Sequence, residues 1–184
     1  MKKNTMLILI LVTALLTAGC GLFSSGNGQG DPQPGDTIVP PEPEGETVEI
    51  TLYFANNEYV QTGNENLEKM LTEKRKVTLT NKPLAQTAVE ELIKGPRDEN
   101  MGVVIPSRIK LIDVEVADDI AYVNFASSGM SGGSMEEFFL ISSVIMTLTE
   151  LENVESIQFL VDGKKPETLM GHIYTMDPMD RGDS

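Results

Sequence analysis

From Ser134 to about Leu151 the chain carries apolar residues at helical spacing on most sides, among them Phe138, Phe139, Ile141, Val144, Ile145 and Leu148. A helix without a wide polar stripe is stable only when other elements wrap it, so this segment is expected to be the central core element. Ser134 with Glu137 has the spacing of a capping box at its start. A shorter helix is expected upstream. Pro83 suits a first helical position, Leu84, Ala88, Val89, Leu92 and Ile93 form its apolar stripe, and Gly95-Pro96 stops it. Lys82, Gln86, Glu90, Glu91 and Lys94 then face outward as an ordinary solvated surface.

The remaining apolar residues alternate. Val48, Ile50, Leu52 and Phe54 predict a half-buried strand, followed by a turn at Asn56-Asn57, a weaker strand at Tyr59-Val60 and another from Lys76 to Thr80. Ile112, Val114 and Val116 face Ala121, Val123 and Phe125 across a turn at Asp118-Asp119, a hairpin. Ile157, Phe159 and Val161 predict a further strand, Asp162-Gly163 a turn, and Thr168–Met170 a last short strand. Hairpins imply antiparallel pairing. The expected class is α+β: a mixed, mainly antiparallel sheet with two helices packed on one face.

The N-terminus has a different chemistry. Lys2 and Lys3 precede an apolar run from Met6 to Leu16, too short for a bilayer core and suited to a signal peptide. Leu16-Thr17-Ala18-Gly19-Cys20 then resembles the lipobox of bacterial lipoproteins, with Thr17 where that family usually has Leu. The resemblance implies cleavage before Cys20 and a diacylglyceryl group on its thiol. Two acyl chains make a stable membrane anchor where one is marginal. From Gly21 to Glu46 there are six Gly and five Pro and few apolar residues, a tether of roughly 30 Å mean reach and about 80 Å full extension. The expected layout is a signal peptide at 1–20, a tether at 21–46, one domain at 47–175 and a loose polar tail at 176–184.

Charge narrows the partners. The 184 residues carry a formal charge of -14; Lys2 and Lys3 are the only charged residues of the first twenty, so the rest has 12 basic and 28 acidic side chains, or -16. Such a surface repels nucleic acid and anionic headgroups, and membrane contact is expected only through Cys20. The expected partner is an unidentified envelope protein with a basic or neutral surface, and the lipid-free domain is expected to be a monomer. With one Cys, no intrachain disulfide can form.

Few residues suggest chemistry. Gly129-Met130-Ser131-Gly132-Gly133 matches G-x-S-x-G between a strand and a helix, with Asp162 and His172 following in the order of an α/β-hydrolase triad. Against a hydrolase, the cap signal stands at Ser134 rather than just after Ser131, and the preceding strand belongs to a hairpin. His172 is the only histidine, which disfavours zinc. Asp113, Glu115, Asp118 and Asp119 lack calcium-loop spacing and read as a solvated strand face and turn. No metal or cofactor is expected, and Arg181-Gly182-Asp183, though it spells an adhesion tripeptide, is read as chance.

Thr51-Leu52-Tyr53-Phe54, Leu92 to Pro96, Ala121-Tyr122-Val123-Asn124-Phe125, Phe159 to Gly163 and Thr168 to His172 follow one another as in GerMN domains. Over Val48 to Ile173 the chain resembles a single-copy GerMN-domain lipoprotein. The resemblance implies a fold similar to ring-building motifs, a link to sporulation or germination, and no catalytic residues. The expected function is a non-catalytic binding or assembly domain, lipid-anchored on the extracytoplasmic face of the cell membrane. The alternatives are a ligand-binding envelope lipoprotein or a serine hydrolase using Ser131, Asp162 and His172.

Overall fold

The computed structural model describes residues 45–184. Cys20 and the tether through residue 44 lie outside the described residues. Strand β1 (Thr47–Asn56) pairs antiparallel with β2 (Met70–Thr78), Thr47 opposite Thr78 and Ala55 opposite Met70. The two residues of β3 (Met101–Gly102) join the other edge of β1 at Ala55 and Asn56. In a second sheet, β4 (Leu111–Ala117) pairs antiparallel with β5 (Ile120–Phe125), and β5 pairs parallel with β6 (Ser156–Val161). A parallel neighbour requires a crossover, and helix α3 (Ser134–Leu148) makes it. The class is α+β, with the strands divided between two three-stranded sheets.

Helix α2 (Leu84–Ile93) packs on β1, β4 and α3, while α3 packs on β1 and β6, so the helix pair bridges both sheets. One core results. Leu52 and Phe54 from β1, Leu92 from α2, Phe125 from β5, Ile145 from α3 and Phe159 from β6 are all fully buried. Each such side chain contributes about 1.5–3 kcal/mol relative to exposure.

An all-round apolar α3 explains the burial but not the polar residues within it. Ser143 and Thr147 are buried on the side that meets β1. Beyond β3 the second edge of β1 has no strand partner among the described residues, and α3 closes it at Tyr53. The Tyr53 amide donates to Thr147 Oγ1 at 3.1 Å, and Ser143 Oγ donates to the Tyr53 carbonyl at 2.6 Å. Unpaired backbone groups there would be costly and would invite another strand. Thr147→Val keeps the shape and removes the acceptor. It should lower unfolding free energy by about 1–3 kcal/mol and speed hydrogen exchange at the Tyr53 amide. Unchanged exchange would mean that α3 does not close this edge.

Four segments differ from the sequence reading, the first being β2, which runs Met70–Thr78 where a strand from Lys76 to Thr80 was expected. Asn57–Thr62 is a helix, α1, where a turn and a strand at Tyr59-Val60 were expected. The Asn56 side chain accepts from the Glu58 and Tyr59 amides, which starts the helix, and Gly63 in the left-handed region (φ 63°) ends it. The expected strand at 168–170 reduces to a single bridge between Thr168 and Tyr174. The tail expected to be loose at 176–184 is built into the fold. Ile157 and Met179 exchange two backbone hydrogen bonds at 2.8 Å, and Met179 is buried.

That tail ends in a 3-10 turn, Arg181–Asp183, with a capping box formed by Asp180 and Asp183. The Arg181 guanidinium pairs with Glu150, donates to the Met146 carbonyl at 2.9 Å and lies over the Tyr53 ring. The adhesion-like tripeptide is therefore engaged in internal contacts.

Candidate functional site

The structure does not assemble Ser131, Asp162 and His172. The Ser131 carbonyl accepts from Arg108 Nη2 at 2.6 Å, and the His172 Nε2 lies 3.2 Å from the Gly132 carbonyl. Asp162 Oδ1 accepts the Ser127 amide at 3.2 Å, and hydrogen bonds from the Ser127 side chain and amide hold its carboxyl below the ordinary aspartate range. Among the described residues no hydrogen bond links the three. The glycines have a packing role instead. A Cβ on Gly129, at φ 84°, would stand 2.3 Å from the Arg108 carbonyl oxygen.

Glu137 is the site residue that the sequence reading misassigned. Helix α3 starts at Ser134 as expected, but its N-cap is Gly133 and no side chain caps it. Glu137 is instead fully buried and turns its carboxylate to the loop after β6. Oε1 accepts the Leu169 and Met170 amides at 2.9 and 2.7 Å. Oε2 accepts those of His172 and Ile173 at 2.8 and 3.3 Å. One carboxylate thus takes four backbone donors and sets the loop beside the start of α3.

That loop, with residues 65–70 and 102–104, frames a groove along α3 that is mainly apolar around Met135 and mixed in character beside Glu65–Lys69. Met135, Phe138, Ser142 and Met146, spaced three and four residues apart, lie along one stripe of α3 and line three adjoining concavities. Their volumes are about 390, 400 and 500 Å³. Neighbouring concavities share Phe138 on one side and Met135 with Phe139 on the other, so the three adjoin along α3. Met135 is 53% exposed and Val103, at the far end, 62%. Tyr59, Phe138 and Phe139 pack edge to face, and Lys69 Nζ lies 5.2 Å from the Phe138 ring centre. Such a surface takes apolar side chains.

A polar concavity of about 520 Å³ between β2 and α2 has another character. Three of its cations, Arg75, Lys82 and Lys94, are already held. Buried Arg75 pairs with Glu73 and with Glu91 at 2.9 Å and donates to the Glu91 and Gly95 carbonyls at 3.1 Å. Lys82 pairs with Glu90 at 2.7 Å, and Lys94 with Glu91. Burial alone would raise the Glu91 carboxyl, but hydrogen bonds from Lys94 and Arg75 outweigh it and hold it below the ordinary glutamate range. For Glu73 burial also opposes the shift, and the Arg97 amide with Arg75 prevails. Glu91, expected to face outward, is therefore a buried ion-pair partner.

Comparison with known proteins now identifies the architecture. The Germane family, described as sporulation and spore germination, matches residues 51–167, more than half of the sequence. The chain belongs to the Germane family. No curated protein matches it. Among solved structures it is similar to a candidate lipoprotein from Clostridium perfringens, at 22% identity and a TM-score of 0.51, covering 74% of this chain and 89% of that one. It is also similar to the tandem GerMN domains of the sporulation protein GerM from Bacillus subtilis, at 22% identity and a TM-score of 0.60, covering 74% of this chain and 46% of that one. The first GerMN domain of the same protein gives 15% identity and a TM-score of 0.59, covering 73% and 98%. These likenesses support the Germane fold.

Within this Germane domain the residues that carried the resemblance have physical tasks. Gly95 of Leu92–Pro96 presents its carbonyl to Arg75. Asn124 Oδ1 accepts the Gly163 amide at 2.9 Å, fixing the turn in which Asp162 has φ 48° and Gly163 φ 74°. Thr168–His172 supplies donors to Glu137.

Proposed function

We propose that this chain is a lipid-anchored extracytoplasmic binding module, in which a diacylated Cys20 holds the Germane domain at the cell membrane on the 21–46 tether. The domain recruits an envelope protein in sporulation or germination and turns over no substrate. The observation that carries this reading is the row of concavities along α3, with the apolar Met135 and Val103 exposed on an otherwise strongly acidic chain. The candidate lipoprotein of similar fold agrees with a lipid anchor, and the family description agrees with the process. Among the described residues no helix is long and apolar enough to cross a membrane, so in this reading attachment falls to Cys20.

Cys20→Ala should release the protein from the membrane fraction or leave it as a longer precursor held by its apolar segment. Fractionation with metabolic labelling by a fatty acid distinguishes these outcomes from the wild type. A variant that is still acylated and cleaved normally would end the lipoprotein reading. Stoichiometric labelling of Ser131 by a fluorophosphonate would end the non-catalytic one.

A further inference from the structure

We infer that the groove along α3 seats an amphipathic helix of another envelope protein, one whose apolar stripe is flanked by basic residues. This rests on the binding-module reading and names the partner's chemistry. The geometry favours a helix over a strand. The groove follows the side of a helix, whose backbone groups are already paired, so an incoming strand would find no ladder there. The β3 edge at its far end is only two residues long. Met135 and Met146 are eleven residues apart, about 16 Å along α3, which matches roughly three turns of a docked helix.

The side chains suit such an occupant. Met70, Met135 and Met146 with Phe138 give flexible, polarizable walls that adapt to aliphatic anchors. Ser142 adds a polar point beneath the middle of the groove. It is 1% exposed, and its hydroxyl has no hydrogen-bond partner among the described residues.

Charge sets the flanks. Glu65 and Glu68 stand at one end of the groove, on a chain whose formal charge is -14, while Glu136 at the other end is paired with Arg108. Lys69, between them, leans over the Tyr59 and Phe138 rings. Basic flanks on the partner are attracted to this rim, whereas acidic flanks and anionic lipid are repelled.

The test uses the full lipidated chain in phosphatidylcholine nanodiscs and two labelled 18-residue helical peptides. Both carry leucines at helical spacing, with lysines on the flanks of one and glutamates on the flanks of the other. Fluorescence anisotropy, corrected with empty nanodiscs, should show the lysine peptide binding about tenfold or more tighter than the glutamate peptide. Met135→Gln with Met146→Gln leaves the charge unchanged, so a tenfold loss of binding there, with an unaltered circular dichroism spectrum, separates docking from bulk attraction. The inference is overturned if the two peptides bind alike, if neither binds, or if the double variant binds as the wild type does. Methionine-dependent binding to anionic vesicles in preference to the lysine peptide would overturn it in favour of a lipid surface. Each of these failures leaves the Cys20→Ala fractionation result standing, so the groove and the anchor fail separately.

Discussion

Glu137→Ala should lower the unfolding free energy by about 3 kcal/mol or more, a large share of the roughly 5–15 kcal/mol that holds a domain of this size together. The carboxylate is fully buried and accepts four amides, from Leu169, Met170, His172 and Ile173. Removing it leaves those donors facing one another across the space of the lost side chain. Each unsatisfied buried group costs about 1–3 kcal/mol. The sum is tempered because Met170, His172 and Ile173 reach water once the loop loosens. Glu137→Gln should not restore the site. An amide offers one acceptor oxygen, and its NH₂ would point at two of the four donors. Urea titration measures the loss, and hydrogen exchange at residues 169–173 should accelerate before global unfolding. A loss below about 1 kcal/mol, with exchange unchanged, would show that the carboxylate does not hold the loop.

The second large effect is at Arg75, where alanine should cost about 3 kcal/mol. Breaking a buried ion pair by removing one member leaves uncompensated charge, typically at 3–5 kcal/mol. The lower end applies because Glu91 keeps Lys94 and Glu73 keeps the Arg97 amide. Replacing Glu73, Arg75 and Glu91 together by Leu, Met and Leu should recover much of the loss, since no charge is then stranded. Additive damage in the triple variant would contradict this account.

The same cluster sets the acid limit. Glu73 and Glu91 have depressed carboxyl pKa values in the folded chain. The unfolded chain therefore takes up protons first as pH falls through about 4.3. Their contribution is complete above that range and is lost as pH drops through the lower folded values. Glu90 and Glu150 act in the same direction through Lys82 and Arg181, each with its carboxyl held down. Arg75→Ala should raise the midpoint of acid unfolding, read by circular dichroism.

Much of this fold is written in short stretches of sequence. The stripe Leu84 to Ile93 and the all-round apolar run of α3 are periodic within a few turns, and helix-forming energetics are local enough to read there. Asp118-Asp119 form a two-residue turn with both φ values positive, 52° and 60°, where the alternating flanks had placed it. β2 was only half legible, because its inward positions carry Glu73 and Arg75 beside Leu71 and Val77 and so break the apolar alternation. Those charges are tolerated inside because Glu91 and Gly95, sixteen and twenty residues on from Arg75, come to meet it. α1 was hidden because an asparagine that reads as a turn residue serves equally as an N-cap.

Sequence by itself determined helices α2 and α3, the β4–β5 hairpin, the family resemblance and the single cysteine on which an anchor could be built, since each is read from residues close together in the chain. Tertiary structure alone decided that Glu137 serves a loop and not a helix cap, that Ser143 and Thr147 close the edge of β1, and that Met135 on α3 stays exposed. Those outcomes depend on groups more than thirty residues apart in the chain, as Glu137 and Leu169 are. A buried donor, acceptor or charge is stabilising only with its partner in place, and folding alone brings those partners to about 3 Å.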